Sequence, residues 1–453
     1  MTHLASKMLF NKILNSEFGF RLDSSYILNY TTYNKITSTL KQLGIDIVKL
    51  SKFTKVRKKG ISGKTATILI RSLWKASIHP LKIEVRTHGS RFLCKELDII
   101  GVATGLGSIG KFSIVPKYLS EIIEQPLATT ADLIILEPIP NEKRGTYYIV
   151  TLLNTRIGRV ISSMLTYGST GQLHLDAKWL EDIKIPIIDN YGDIIKDMES
   201  AIEDYEAKAW KAYFKAIKIV EEYLSAKDVS LAGTSSLKIM EQTGRIDATM
   251  HILLALVSRL GKGNICHIGE LYDILSGTAP SSREYKKPCE GQKYISTKSI
   301  DESGYIDEEG FYCYPGRLRT RNLAKRGSLV TLKNAHSVEA LGKTGIVYPY
   351  DNVPAISDLY ILNPKPSIDE DISFYTIALS KTKLFKRMVQ SLAYGLTAHI
   401  KAEDLARIPI PFIDQWKEVA RYMKEFIENM YQANVLKIQA IMELENQILK
   451  LLG

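Results

Sequence analysis

The sequence predicts an α+β fold built twice: two similar mixed α/β domains separated by a pair of long antiparallel coiled-coil helices. Three observations carry this expectation. The first is a motif that occurs in both halves. Tyr167-Gly168-Ser169-Thr170, His174 and Ile185-Pro186-Ile187 return as Tyr394-Gly395-Leu396-Thr397, His399 and Ile408-Pro409-Ile410. The second is that further segments repeat at the same offset of roughly 225 residues. Tyr147-Tyr148-Ile149-Val150 matches Phe374-Tyr375-Thr376-Ile377, and Leu133-Ile134-Ile135-Leu136 matches Leu359-Tyr360-Ile361-Leu362. Arg21-Leu22-Asp23 matches Arg245-Ile246-Asp247. Such an offset is far longer than the period of a solenoid, so a whole module is duplicated. The third is that each module is followed by a heptad-patterned stretch.

Taken in order, residues 1–20 read as a short lead-in helix or extended arm. Residues 21–189 mix short strands and helices, punctuated at Gly60, Gly63, Pro80, Gly89 and Pro116. Ile68-Leu69-Ile70, Ile99-Ile100-Gly101-Val102 and Leu133–Leu136 read as buried strands. Pro186 closes the module, because a residue before proline is pushed out of the helical region. From Asp193, Ile195, Ile202, Ala209, Ala216 and Tyr223 recur every seventh residue, with Met198, Tyr205, Ala212 and Ile219 between them. That is a coiled-coil seam on a helix about 50 Å long. Gly233 and its Ser/Thr neighbours end it. Residues 245–413 repeat the mixed module. Residues 414–452 form a second seam, with Trp416, Met423, Met430, Leu444 and Leu451 in one register and Val419, Phe426, Ala433 and Ala440 in the other. Lys437 and Gln447 interrupt it; a polar break sets register, or a lysine snorkels. The domains are expected at 1–190 and 233–413, with the helices at 191–232 and 414–453. If the two seams pair, the molecule is a dumbbell with two heads on a helical rod.

The chain has 453 residues and a formal charge of +11, from 60 Lys plus Arg against 49 Asp plus Glu. This surplus suits a polyanionic partner such as nucleic acid. Cys94, Cys266, Cys289 and Cys313 form no C-x-x-C pair, which argues against structural zinc. Four sparse cysteines suit free thiols in a reducing cytoplasm. Neither a signal peptide nor a membrane-spanning segment of roughly 18 apolar residues is expected.

The second module carries an ordered set of motifs: Ser276-Gly277-Thr278-Ala279-Pro280-Ser281-Ser282-Arg283, then Tyr285, Gly304-Tyr305-Ile306, Gly342-Lys343-Thr344-Gly345-Ile346-Val347, and the exit from Leu405 to Pro411. This order resembles the target-recognition domain of type I restriction–modification specificity subunits, and the resemblance covers nearly the whole chain. The first module departs from the pattern. Lys55-Val56-Arg57-Lys58-Lys59-Gly60-Ile61-Ser62-Gly63-Lys64 stands where the T-P-S loop is expected, although Gly107-Ser108-Ile109-Gly110-Lys111 fits the family's glycine–lysine segment. The resemblance implies a non-catalytic, cytoplasmic DNA-recognition subunit. It would read double-stranded DNA with two half-sites and recruit two methyltransferase subunits and, through them, restriction subunits. S-adenosylmethionine, magnesium and ATP would belong to those partners, with no cofactor and no membrane for this chain.

Candidate DNA contacts in the first module are Lys55, Arg57, Lys58, Lys59, Lys64, Ser108 and Lys111. In the second they are Thr278, Ser281, Ser282, Arg283, Lys286 and Lys287, with Arg317, Arg319 and Arg321 alternating on one side if they form a strand. Lysines and arginines would hold phosphates, and base-edge contacts would carry the choice of sequence. Tyr167, Tyr394, His174 and His399 read first as packing for the duplicated turn, with base stacking as the alternative.

Enzymatic readings fare worse. Gly105-x-x-x-x-Gly110-Lys111 is nearly a P-loop, but Phe112 stands where a hydroxyl must hold magnesium. Asn363-Pro364-Lys365-Pro366 is not the methyltransferase motif that presents a flipped adenine. The alternatives are a DNA-recognition component of another phage-defence or modification system, a duplicated nuclease, and a scaffold whose heads bind protein.

Overall fold

The computed structural model describes residues 24–105, 108–140, 143–168, 173–188, 191–226, 264–278, 291–314, 322–394 and 398–453. The fold is α+β, with short strands, two long helices and two compact units. The first unit takes residues 1–207 and 432–453, the second residues 208–431. The expected end of the first long helix at Gly233 lies outside the described residues.

Each unit contains a four-stranded antiparallel sheet, and the strand order is the same in both. In the first unit the order is Thr54–Arg57, Leu133–Pro138, Ile99–Val102, Phe112–Ile114. In the second it is Tyr272–Ser276, Leu359–Pro364, Leu329–Leu332, Thr344–Ile346. The expected strands at 99–102 and 133–136 are present. That at 68–70 is displaced: the strand is Thr65–Ile68, and Ile70–Ser72 turns into a 3-10 helix. A second sheet of the first unit holds Glu84–Arg86, Thr65–Ile68, Leu127–Thr130 and Arg91–Leu93.

Two helices follow the sheet in each unit, Lys143–Leu153 with Arg156–Met164 and Asp371–Ser380 with Lys383–Ser391. The second of each pair starts from an equivalent cap. Thr155 accepts from the Gly158 amide at 3.2 Å, and Thr382 from the Phe385 amide at 3.3 Å. A threonine here satisfies an amide that the first helical turn leaves without a partner. The exit strand is tied down in the same way twice. The Tyr148 hydroxyl donates to the Pro186 carbonyl at 2.7 Å and accepts from the Ile188 amide at 3.4 Å. Tyr375 donates to the Pro411 carbonyl and accepts from the Ile413 amide at 3.4 Å. Both tyrosines are buried, so the duplication extends to single hydrogen bonds.

The long helices run over Gly192–Ser200, Ala201–Glu206 and Ala207–Ala226, and over Trp416–Leu452. Within the second unit they are antiparallel: Trp210 and Tyr213 meet Phe426 at 5.3 and 5.0 Å between ring centroids, while Lys215 lies over Tyr422. Within the first unit Ile195, Met198 and Ile202 share one apolar cluster with Ala440, Leu444 and Ile448. One expected register, Ile195, Ile202, Ala209 and Ala216, stays buried throughout, while the other shifts after Met198. Ala201–Glu206 is a π turn, which admits one extra residue. Beyond it Glu206, Tyr213 and Val220 are buried, where the heptads place Tyr205, Ala212 and Ile219; Ala212 is buried as well, but Tyr205 and Ile219 are half-buried.

Lys437 does not snorkel: it is fully buried against Glu206, also fully buried. Ser77 donates to the Glu206 carboxylate at 2.9 Å, and Tyr118 donates at 3.3 Å. The Lys437 ammonium also lies 4.8 Å from the Trp74 ring centroid. At the other break, Gln447 reaches the exposed Glu443 at 3.0 Å and Ile448 takes the buried position.

One cysteine expectation is corrected. Cys94 and Cys266 are free, but Cys313 is disulfide-bonded. It sits buried in the strand Tyr312–Tyr314, and spacing along the chain does not reveal which thiols meet in space.

Candidate nucleic-acid interface

Strand direction places the candidate segments of the first unit at one end of its sheet. Arg57 ends its strand beside Ile135, Val102 pairs with Leu133 at the start of the central strand, and Gly101 pairs with Phe112 just after Lys111. The loop after Arg57 and the turn between Val102 and Phe112 therefore leave from the same edge. Lys58, Lys59, Lys64 and Lys111 are all exposed there.

The loop from Lys58 to Lys64 has a rigid frame. The Lys59 carbonyl accepts from the Leu93 amide at 2.8 Å, and the Ile61 amide donates to Arg91 at 3.1 Å. Arg91 itself is buried and donates to the carbonyls of Gly63, Arg86 and Thr87 and to the Thr65 hydroxyl, at 2.6–2.8 Å. Gly63 has φ +85°, a conformation that favours glycine. Arg91 was not legible as a clamp, because its partners come from two separate stretches of the sequence, Gly63–Thr65 and Arg86–Thr87.

Arg57 departs from its expected role. Its side chain is only 10% exposed and is committed inward, to Asp98, to Glu137 at 2.8 Å and to the Leu93 carbonyl at 3.2 Å. Burial pushes the Asp98 carboxyl up to about 7, against the Lys95 amide and the Arg57 guanidinium, which stabilise its charge. Glu137 is held below the usual carboxylate range: its burial is outweighed by Arg57, Lys55 and Lys95. Arg57 is thus the counter-charge of a buried carboxylate. A phosphate would have to take it from two anions. Lys55 is exposed but lies 3.5 Å from Glu137, which already offsets part of its charge.

Ser108 is half-buried, with its amide 3.4 Å from the Gly105 carbonyl. The strand Phe112–Ile114 follows Lys111, where a P-loop requires a helix. The Gly105 amide donates to the Leu173 carbonyl at 3.1 Å, and Thr104 bridges His174. This brings the glycine-rich turn against the hairpin in which Tyr167 pairs with His174.

The second unit repeats the arrangement. Ser276 pairs with Tyr360 near the start of the central strand, and Leu332 pairs with Leu359 at the same edge. Thr278 continues from this end, its amide 2.9 Å from the Ala355 carbonyl. A Cβ at Gly277 would stand 2.1 Å from the Ile356 carbonyl oxygen, which explains the glycine of the motif. Lys333, which sequence reading did not single out, lies here with its ammonium 3.4 Å from the Ser276 hydroxyl. Asn334 pairs with His399, which in turn pairs with Tyr394. Ser281, Ser282, Arg283, Lys286, Lys287, Arg317, Arg319 and Arg321 lie outside the described residues.

The chain is similar to solved type I restriction–modification subunits. The S subunit from M. genitalium shares 13% identity, covers 90% of this chain and 96% of that one, and gives a TM-score of 0.33. The HsdS subunit from Thermoanaerobacter tengcongensis shares 14% identity over 90% and 95%, with a TM-score of 0.27. A chain solved in work on assembly and conformational transition of the type I R-M system shares 12% identity over 90% and 96%, with a TM-score of 0.28. No family model matches the chain, and no curated protein does. Among the described residues no group of three or more His, Cys, Asp or Glu is placed to hold a metal, and no helix is long and apolar enough to cross a membrane.

Proposed function

We propose that this chain is the DNA sequence-recognition subunit of a type I restriction–modification complex. It would bind a bipartite duplex target, one half-site per unit, and direct two methyltransferase subunits and, through them, restriction subunits to it. S-adenosylmethionine, magnesium and ATP would be held by those partners. The observation that carries the reading is the repetition of one sheet order in two units, with loops that differ between the units leaving the same edge of each sheet. Two copies of one scaffold with different loops suit a ligand that repeats physically but differs in detail, as two half-sites of a duplex do. The exposed Lys58, Lys59, Lys64 and Lys111 at that edge suit phosphates, which position a protein without specifying sequence. The order of motifs from Ser276 to Pro411 supports the same assignment.

The test is to map modified bases in a host that expresses the chain with its neighbouring methyltransferase. A split motif with a fixed gap, lost when this gene is deleted, is the expected result. Methylation that persists without the gene would contradict the reading.

A further inference from the structure

We propose that Tyr167 and Tyr394 are equivalent contacts to the phosphodiester backbone of duplex DNA, one in each unit, with the phenol hydroxyl as donor. The inference rests on the DNA-recognition reading and names one part of that interface.

Two tyrosine pairs recur between the halves, and they behave oppositely. Tyr148 and Tyr375 are buried, and their hydroxyls are engaged by the Pro186 and Pro411 carbonyls. Their retention is explained by the fold. Tyr167 and Tyr394 are 42% and 45% exposed, and among the described residues neither hydroxyl has a hydrogen-bond partner. Packing of the turn engages the rings and not the hydroxyls, and Trp179 meets the Tyr167 ring edge-on at 6.1 Å between centroids. Tyr167 rests on His174 at 5.8 Å and Tyr394 on His399 at 5.9 Å between centroids. Such packing is open to phenylalanine, so it does not account for the hydroxyl.

The support beneath each ring is built to hold a position. Tyr394 and His399 exchange both backbone hydrogen bonds, at 3.0 and 3.1 Å. His399 Nδ1 lies 2.6 Å from the Asn334 side-chain oxygen, and the Asn334 amide donates to Asp358 at 3.2 Å. In the first unit Thr104 bridges His174, and the Thr104 hydroxyl donates to Asp132 at 3.1 Å. An exposed lysine, Lys401, lies 5.4 Å from the Tyr394 ring centroid. Both hairpins are joined to the sheet edge from which the loops that differ between the units leave.

That the tyrosine recurs while the loops beside it differ decides which part of DNA it meets. Residues that read bases must change when the half-site changes. A phosphate is the same in every half-site, accepts hydrogen bonds only, and is contacted by tyrosine among other donors. The shared residue therefore faces the shared part of the ligand.

The experiment measures binding of the chain, assembled with its methyltransferase subunits, to duplex carrying the mapped motif and to random duplex. Tyr167→Phe and Tyr394→Phe are each expected to weaken both about tenfold, the size of a lost hydrogen bond to a charged acceptor. The double variant should lose about a hundredfold, since sites that share no partners add. The methylated motif should stay the same. Unchanged affinity in the double variant would overturn the proposal, as would a loss confined to one base position of the motif. Loss of methyltransferase binding, with DNA affinity of the chain alone intact, would overturn it in favour of a protein contact. A wild-type complex that binds no DNA would overturn the functional reading itself, before any variant is compared.

Discussion

At the scale of single residues, burial decides which cations are available. Arg57 belongs to a basic run, and its neighbours Lys58 and Lys59 are exposed. Arg57 itself ends the strand with its side chain between Asp98 and Glu137, and Lys58 and Lys59 follow in the loop. Arg57→Ala would leave the buried Asp98 carboxyl without its counter-charge. We expect a loss of about 3 kcal/mol in unfolding free energy, limited because a carboxyl already raised towards neutrality can take up a proton. Lys58→Gln should leave stability within about 0.5 kcal/mol and reduce DNA affinity at low salt. Equal stability of both variants in denaturant titrations would contradict this division. A basic run is visible in sequence; which of its members face inward is not, because Asp98 and Glu137 lie far from it along the chain. Tyr375→Phe leaves the Pro411 carbonyl and the Ile413 amide short of a partner, and unfolding should show a loss of about 1–2 kcal/mol.

At the scale of elements, the heptads were legible in the buried Ile195, Ile202, Ala209 and Ala216 series, and the shift of the second register after Met198 was not. The π turn at Ala201–Glu206 moves the seam from Tyr205 to Glu206 and brings a carboxylate under Lys437. An extra residue inside a continuous helix leaves no mark in a pattern of Ala, Tyr and Trp that packs in either register. The buried pair has a definite signature. Lys437→Met alone strands a carboxylate and should cost about 3–5 kcal/mol. The double change Lys437→Met with Glu206→Leu should recover most of that. A residual loss of about 1 kcal/mol is expected, because the Ser77 and Tyr118 hydroxyls lose their acceptor. A double variant as unstable as the single one, by thermal or denaturant unfolding, would show that the site cannot be repacked. Replacing Thr382 by alanine removes one helix cap and should cost about 1 kcal/mol.

At the scale of the whole molecule, the duplication was the most legible feature. Motifs 225 or so residues apart proved to share strand order, caps and the tyrosine ties to Pro186 and Pro411. The pairing of candidate loops with the Tyr167 and Tyr394 hairpins was less so, since it depends on contacts such as Gly105 to Leu173. The central claim is that each unit reads its own half-site on a common scaffold. It is tested most directly by replacing residues 264–413 with the corresponding module of a related chain and mapping the methylated motif. One half of the split motif should change while the other half and the gap stay the same. A motif that changes throughout, or not at all, would contradict it.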